Sequence, residues 1–200
     1  MVAIIDYGMG NVASVQKALN FLKIESSITA DFKEIEKSEY IILPGVGSFL
    51  QGMKNLQNKG LDQFLTDQII QRKKRFLGIC LGMQLLAERG TEPHDNPGLG
   101  WIKGEIKKIE NIPFRIPHMG WNNIDIKMDS YYKNIPNKDF YFIHSYHFVP
   151  ENKNVIAATT NYGMEIVASI QHENIFATQF HPEKSQEAGL SVLKTFFNNA

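Results

Sequence analysis

Short apolar runs that stop at glycines and are followed by helical patterns constrain the fold of this chain most strongly. Val2–Asp6, Tyr40–Leu43 and Phe76–Cys80 are each typical of a buried strand. Residues with helical periodicity follow them, at 11–22, at 48–58 with 61–71, and at 81–89. Repeated strand–helix units predict an α/β fold, with an open, mostly parallel sheet flanked by helices.

The pattern changes after about residue 98. Five strand-like runs separated by turn residues lie at Trp101–Ile109, Phe140–Tyr146, Val155–Thr160, Ile166–Gln171 and Ile175–Phe180. We expect them to form an antiparallel strand layer that continues the sheet in the second half of the chain. Gly189–Phe197 has an apolar face and predicts a closing helix. Because no linker divides the chain, residues 1–200 are expected to form one domain.

Charge and cysteine content exclude several classes of protein. The chain carries 21 basic and 21 acidic residues, whereas nucleic-acid and membrane-surface binders need excess positive charge. One cysteine in 200 residues excludes an internal disulfide and a multi-cysteine metal site. No apolar run is long enough to span a bilayer, and the first residues lack a signal-peptide pattern. We therefore expect a cytoplasmic protein that binds neither nucleic acid nor membrane.

The first glycine turn allows a second interpretation. Gly8 to Ala13 matches the G-x-G-x-x-A dinucleotide fingerprint between a strand and a helix, and Asp31 lies where a ribose-binding acid could follow. A tight turn between a strand and a helix also favours glycines without any nucleotide, because they tolerate positive φ. Asn11 is placed to cap the first turn of the helix.

A second turn carries a potential nucleophile. Gly78-Ile79-Cys80-Leu81-Gly82 is the cysteine form of the G-x-S-x-G elbow, in which a sharp strand-to-helix turn presents the nucleophile. The N–H of Leu81 would then point to where an oxyanion forms. The alternative is that Cys80 is a small buried apolar residue, as free cysteines often are.

A cysteine nucleophile needs a base, and the base needs an orienting group. Among six histidines, His181 differs from the rest because it follows a predicted strand and precedes Pro182 and Glu183. In an extended segment, residues i and i+2 project to the same side. Glu183 can therefore fix the His181 ring while the other ring nitrogen faces Cys80.

Together these motifs resemble a known family. Gly78–Gln84 combined with Gln179–Ser185 is similar to the class I, or triad, glutamine amidotransferases. Four further stretches resemble the glutaminase subunits of imidazole glycerol phosphate synthases: Asp6–Asn11, Pro44–Phe49, Pro117–Asn122 and Tyr141–Tyr146. The similarity extends over essentially the whole chain.

The resemblance implies hydrolysis of glutamine to glutamate and ammonia. Cys80 would attack the side-chain amide, His181 would transfer the proton and Glu183 would hold His181. The oxyanion would be held by backbone N–H groups of Leu81 and of the loop that contains Gly45, Val46 and Gly47. Residues implied to hold the substrate glutamine are Gln84, Glu92, His144, Ser145 and Tyr146. No cofactor and no metal ion are implied.

The resemblance also implies a partner, a (βα)₈-barrel synthase subunit that forms a heterodimer and receives the ammonia. Asn11, Trp121, Tyr141 and Lys184 match positions near that interface and its tunnel entrance. Core packing of Trp121 and simple solvation of Lys184 are the alternatives for those two residues. Because Gly45 and Gly47 allow a peptide to rotate, we expect the isolated subunit to be poorly active.

Two other functions stay open at this point. A paralogous glutaminase could feed ammonia to a sugar amidotransferase in surface-polysaccharide biosynthesis, and the catalytic residues would be the same. A non-enzymatic dinucleotide-binding or interaction module is the third possibility, although such a module need not keep Cys80, His181 and Glu183 together.

Overall fold

The computed structural model describes residues 1–198. The strands are β1 Val2–Ile5, β2 Ser26–Thr29, β3 Tyr40–Leu43, β4 Arg75–Ile79, β5 Arg89–Gly90, β6 Asn96–Pro97, β7 Gly104–Lys108, β8 His118–Ile126, β9 Asp139–His144, β10 Tyr146–Pro150, β11 Ile156–Asn161, β12 Glu165–His172 and β13 Ile175–Thr178. The helices are α1 Val12–Phe21, α2 Phe32–Lys37, α3 Phe49–Asn58, α4 Leu61–Thr66, α5 Leu81–Gln84 and α6 Gln186–Asn198.

Nine strands form one mixed sheet in the order β2-β1-β3-β4-β13-β12-β11-β8-β9. The first five strands of this order run parallel, and β12, β11, β8 and β9 continue the sheet antiparallel. A second sheet has the order β10-β7-β5-β6. The predicted α/β architecture with an antiparallel continuation is therefore confirmed, and the smaller second sheet is an addition to it.

Side chains that alternate along the parallel strands fill two apolar layers, one on each face of the sheet. In β1, Ala3 and Ile5 pack on the face covered by α3 and α4, whereas Val2 and Ile4 pack on the face covered by α1 and α6. Each strand is thus buried on both sides, as parallel strands between helices usually are. This core holds the carboxyl ends of β4 and β13 side by side, with Ile79 opposite Thr178.

Several of the predicted elements differ from the structure at their ends. The helix predicted over 81–89 stops at Gln84, because the carbonyls of residues 85–88 accept hydrogen bonds from N–H groups of residues 98–102. The strand predicted to start at Trp101 begins at Gly104. Strand β8 was not expected, since its Gly120, Asn122 and Asn123 are typical of turns. Within residues 1–198, no helix is long and apolar enough to cross a membrane.

Candidate active site

Cys80 occupies a strained turn between β4 and α5. Its φ of 54° and ψ of −105° lie outside the regions that non-glycine residues favour. The flanking glycines make this turn possible: a β-carbon at Gly82 would fall 1.8 Å from the Leu43 carbonyl oxygen, and one at Gly78 would fall 2.9 Å from the Gly82 carbonyl oxygen. The predicted elbow can therefore form because the glycines at positions 78 and 82 leave room for backbone segments that lie too close together for any side chain.

His181 and Glu183 follow β13, the strand beside β4. The Nδ1–H of His181 donates to Oε1 of Glu183 at 2.7 Å, and both side chains are fully buried. The Nε2 atom of His181 is buried without a hydrogen-bond partner in the described residues, and the Cys80 sulfur lies near enough to interact electrostatically with the ring. Backbone contacts fix the segment, since the His181 N–H donates to the Tyr141 carbonyl at 2.9 Å and the Ser185 hydroxyl donates to the His181 carbonyl at 2.6 Å.

The electrostatics of this group favour a charged imidazole. Burial on its own lowers the pKa of His181, but the negative charge of the Cys80 sulfur and then Glu183 outweigh it and raise that pKa to about 10. For Glu183, burial raises the pKa, yet hydrogen bonds from His181 and Asn11 hold it below its usual value. The carboxylate therefore stays ionised and stabilises an imidazolium beside the sulfur.

Asn11 has a role that differs from the expected helix cap. Its backbone is left-handed, with φ 68°, and its side chain makes no capping hydrogen bond to α1. Instead its Nδ2 donates to Glu183 Oε1 at 2.9 Å. The first glycine turn thus positions the Asn11 amide next to the Glu183 carboxylate. Asp31, the possible ribose ligand, instead caps α2 by accepting from the N–H groups of Lys33 and Glu34.

A cavity of about 360 Å³ opens onto Cys80. Its walls contain all five residues expected to hold the substrate, part of the elbow around Cys80, and part of the loop Gly45–Gly47, which we call the glycine loop. The lining is Val46, Gly47, Ser48, Cys80, Leu81, Gln84, Glu92, Pro117, Ile143, His144, Ser145 and Tyr146. Glu92 is fixed because its Oε2 accepts from the N–H of Phe49 at the start of α3, at 2.9 Å. The volume is at the lower end of the range of roughly 300–1,000 Å³ that small-molecule sites occupy.

Hydrogen bonds at the back of the cavity determine which way two amides point. Nε2 of Gln84 donates to the Tyr146 carbonyl and to Oε1 of Gln179, each at 3.0 Å. Nε2 of Gln179 in turn lies 3.7 Å from Sγ of Cys80. Sequence reasoning gave Gln179 no role, although the same i, i+2 spacing that paired His181 with Glu183 also puts Gln179 on the side of His181.

The wall formed by residues 144–146 is held by a second histidine, His118. His144 accepts at Nε2 from His118 Nδ1 at 2.9 Å, since its own Nδ1–H donates to the Tyr146 carbonyl at 2.8 Å. Asn122 Nδ2 donates to His118 Nε2 at 3.2 Å and completes this series of hydrogen bonds. Burial lowers the pKa of His118 to about 4 and that of His144 to about 3, so both rings are neutral at pH 7.

Two of the N–H groups expected to hold an oxyanion are engaged elsewhere in this structure. The Leu81 N–H donates to the Gly45 carbonyl at 3.3 Å, and the Val46 N–H donates to the Met9 carbonyl at 3.0 Å. Gly47, with φ 109°, ends the same loop. Both N–H groups are therefore already paired within the protein.

The residues expected at a partner interface lie at or near the surface. Trp121 is 49% exposed, which excludes the alternative of core packing, and it makes an edge contact with Tyr141 across β8 and β9. Lys184 is exposed, and Asn11 and Tyr141 are half-buried. Val46 and Met119 are apolar and also exposed, at 39% and 57%.

Comparisons with known proteins identify the family of this chain. The family model for class-I glutamine amidotransferases matches residues 3–200. The chain belongs to this family. Among curated members, it is 48% identical to "Imidazole glycerol phosphate synthase subunit HisH 1" of Campylobacter jejuni, with 98% of each chain covered. It is 43% identical to "Imidazole glycerol phosphate synthase subunit HisH" of Pelagibacter ubique, with 98% of this chain and 99% of that one covered.

Solved structures of the class-I amidotransferase fold are also similar. A crystal structure of a glutamine amidotransferase superposes with a TM-score of 0.77 at 18% identity and covers 98% of this chain and 100% of that one. The structure of PurLQS from Thermotoga maritima gives 0.77 at 20% identity, with 99% and 97% covered. At these identities the likeness concerns the fold.

Proposed function

We propose that this chain is the glutaminase subunit of an imidazole glycerol phosphate synthase, and that it releases ammonia from glutamine for histidine biosynthesis. The observation that carries this proposal is Cys80 in the lining of the cavity, with its sulfur interacting with the ring of buried His181, whose Nδ1 is bound to Glu183 at 2.7 Å. The names of the full-length relatives at 43–48% identity support the choice of synthase.

The reaction proceeds in two halves. The thiolate of Cys80 attacks the δ-carbon of glutamine, and the tetrahedral intermediate collapses as protonated His181 gives its proton to the leaving nitrogen. Ammonia departs and a γ-glutamyl thioester remains on Cys80. His181, now neutral, takes a proton from water, whose oxygen attacks the thioester and releases glutamate.

Substrate selection follows from groups around the cavity. Both amide protons of Gln84 are used by protein acceptors, so Gln84 can offer its Oε1 to a donor of the substrate. The Glu92 carboxylate supplies negative charge suited to the substrate ammonium group. His144, Ser145 and Tyr146 complete the wall on the other side.

The glycine loop links hydrolysis to the partner. Rotation of a peptide in the segment 45–47 frees the N–H groups of Leu81 and Val46 from Gly45 and Met9, and those groups then stabilise the oxyanion. Val46 in this loop is apolar and exposed, as are Met119 and Trp121, and these side chains offer the partner apolar contacts. A docked synthase subunit thus covers the cavity and favours the active loop.

Covering the site also protects the product. In neutral water ammonia is mostly protonated, and ammonium has no lone pair with which to attack an acceptor. The partner, which we propose to be a (βα)₈ barrel contacted by Asn11, Trp121, Tyr141 and Lys184, therefore has to receive the ammonia directly. The paralogous sugar amidotransferase would need the same protection but a different acceptor.

Glutamate release measured with and without partner subunits tests the proposal. We expect slow hydrolysis by the chain alone and a rise of at least tenfold with the cyclase subunit of imidazole glycerol phosphate synthase. The Cys80→Ala variant should abolish both rates. Stimulation by a sugar amidotransferase and not by the cyclase would reject the histidine-pathway assignment, whereas an unchanged rate in Cys80→Ala would reject the nucleophile.

A further inference from the structure

Gln179 is a fully buried amide that touches the reacting sulfur. It directly follows β13, is 0% exposed, and is held by its backbone N–H, which donates to the Ala168 carbonyl at 2.8 Å. Its Nε2 lies 3.7 Å from Sγ of Cys80, within the range of a hydrogen bond to sulfur. A buried polar side chain at a nucleophile is costly unless its hydrogen bonds are made, so its orientation matters.

The orientation of this amide is fixed by its neighbour. Gln84 Nε2 donates one proton to the Tyr146 carbonyl, which can only accept, and the other to Gln179. Gln179 must therefore accept at Oε1, and its NH₂ group must face Cys80. In the reversed orientation the NH₂ of Gln179 would face the NH₂ of Gln84, and one N–H of Gln84 would be left without an acceptor.

Besides His181, two polar groups contact the sulfur, and they favour opposite protonation states. The carbonyl oxygen of Ile143 lies 3.8 Å from Sγ and can only accept, so it favours the thiol. The NH₂ of Gln179 can only donate to the sulfur, so it favours the thiolate. We propose that Gln179 is a positioning residue that holds the Cys80 sulfur as a thiolate aimed into the cavity, with Gln84 fixing the direction of its amide. The inference rests on the proposed function because it concerns the same nucleophile.

Other titratable groups face Cys80 and would stay in place when Gln179 is changed. His181, backed by Glu183, provides the positive charge; the Tyr7 hydroxyl lies behind Gly45; His144 and Glu92 line the same cavity. The difference between the wild type and a variant that only removes the amide donor therefore reports the donated hydrogen bond.

The single cysteine of the chain makes a direct test possible, because alkylation by iodoacetamide reports on Cys80 alone. The rate is measured against pH in the free subunit without glutamine. In Gln179→Met, which keeps the length of the side chain and removes the donor, we expect the pH midpoint to rise by about one unit, which lowers the rate about tenfold at pH values below the wild-type midpoint. Gln179→Glu keeps the shape, places an acceptor against the sulfur, and should shift the midpoint in the same direction.

Gln68→Met is the matched control, because Gln68 is equally buried but lies in the turn of π-helix at Asp67–Gln71. It should leave the midpoint unchanged. Circular dichroism identifies which variants are folded. An unchanged midpoint in either folded Gln179 variant overturns the proposal. Because the assay requires no turnover, that result is distinguishable from failure of the glutaminase assignment, which Cys80→Ala tests with glutamine.

Discussion

The phenolic oxygen of Tyr7 lies so close to Gly45 that a β-carbon at residue 45 would fall 2.1 Å from it. Tyr7 is 1% exposed, and its hydroxyl has no hydrogen-bond partner in the described residues. Burial, and then the charge of Cys80, raise the pKa of this hydroxyl. The loop that we propose to rotate for catalysis is therefore packed directly on a buried hydroxyl without a hydrogen-bond partner.

This contact predicts that Tyr7→Phe restores the stability that Gly45→Ala loses. Tyr7→Phe should raise the free energy of unfolding by about 1 kcal/mol, because it removes a buried hydroxyl without a partner. Gly45→Ala should cost about 1–3 kcal/mol and most of the activity, through overpacking of the loop. With the oxygen gone, the nearest Tyr7 atom is 3.2 Å away. The double variant should thus recover stability in urea titrations, and simple additivity of the two effects would contradict the contact.

Asn11 offers a second test, because it donates to Glu183 at 2.9 Å. Asn11→Gly keeps the positive φ and removes the amide, so glutamate release should fall about ten- to a hundredfold, the effect of losing one hydrogen bond to a charged group. KM should change little, since Asn11 does not line the cavity.

Asn134→Gly is the control for this backbone effect, because Asn134 also has a positive φ, of 63°, and is exposed far along the chain. It should keep the full rate. Equal rates in Asn11→Gly and Asn134→Gly would show that the hydrogen bond to Glu183 has no part in turnover.

The pKa of His181 should depend on Cys80. Because it is raised to about 10 in the folded chain, its contribution to stability is complete below the unfolded value near 6.5 and is lost as pH rises through about 10. In Cys80→Ala the negative charge is gone, so the ring should lose its proton at a lower pH. Titration of the imidazole signals by NMR measures this, and an identical midpoint in both proteins would disagree with a coupled pair.

The hydrogen-bonded histidines His118 and His144 predict that the stability of the fold decreases in acid. Both pKa values lie below that of an unfolded histidine, so the unfolded chain binds more protons, and stability falls as pH drops from about 6.5 through 4. His118→Phe keeps the ring stacked between Phe142 and Tyr162 and removes one titrating group. Unfolding at pH 5 should then take up about one proton fewer, as the pH dependence of urea denaturation reveals. The same slope in both proteins would count against a neutral His118.

Much of this site was predictable from the sequence because its parts lie at the ends of adjacent parallel strands. The elbow around Cys80 and the extended segment at His181 are local patterns, and the pairing of β4 with β13 brings them together. The cavity likewise contains every residue expected to hold the substrate.

Long-range competition for hydrogen bonds was not predictable. Asn11 has the sequence position of a helix cap, but its amide is used by Glu183, which lies 172 residues further along the chain. The segment after Cys80 has the apolar pattern of a longer helix. The carbonyls of residues 85–88, however, accept hydrogen bonds from N–H groups in the segment 98–102, so the helix ends early. The state of the glycine loop depends on the Met9 carbonyl, which no local pattern reveals.

Detection of an acyl-enzyme tests the central claim most directly. The chain in complex with its synthase partner is mixed with glutamine, quenched in acid and digested, and the peptide containing Cys80 is examined by mass spectrometry. The account predicts a γ-glutamyl thioester on Cys80 in the wild type and no adduct in Cys80→Ser. Rapid glutamine hydrolysis by Cys80→Ser, or an acyl group on another residue, would contradict it.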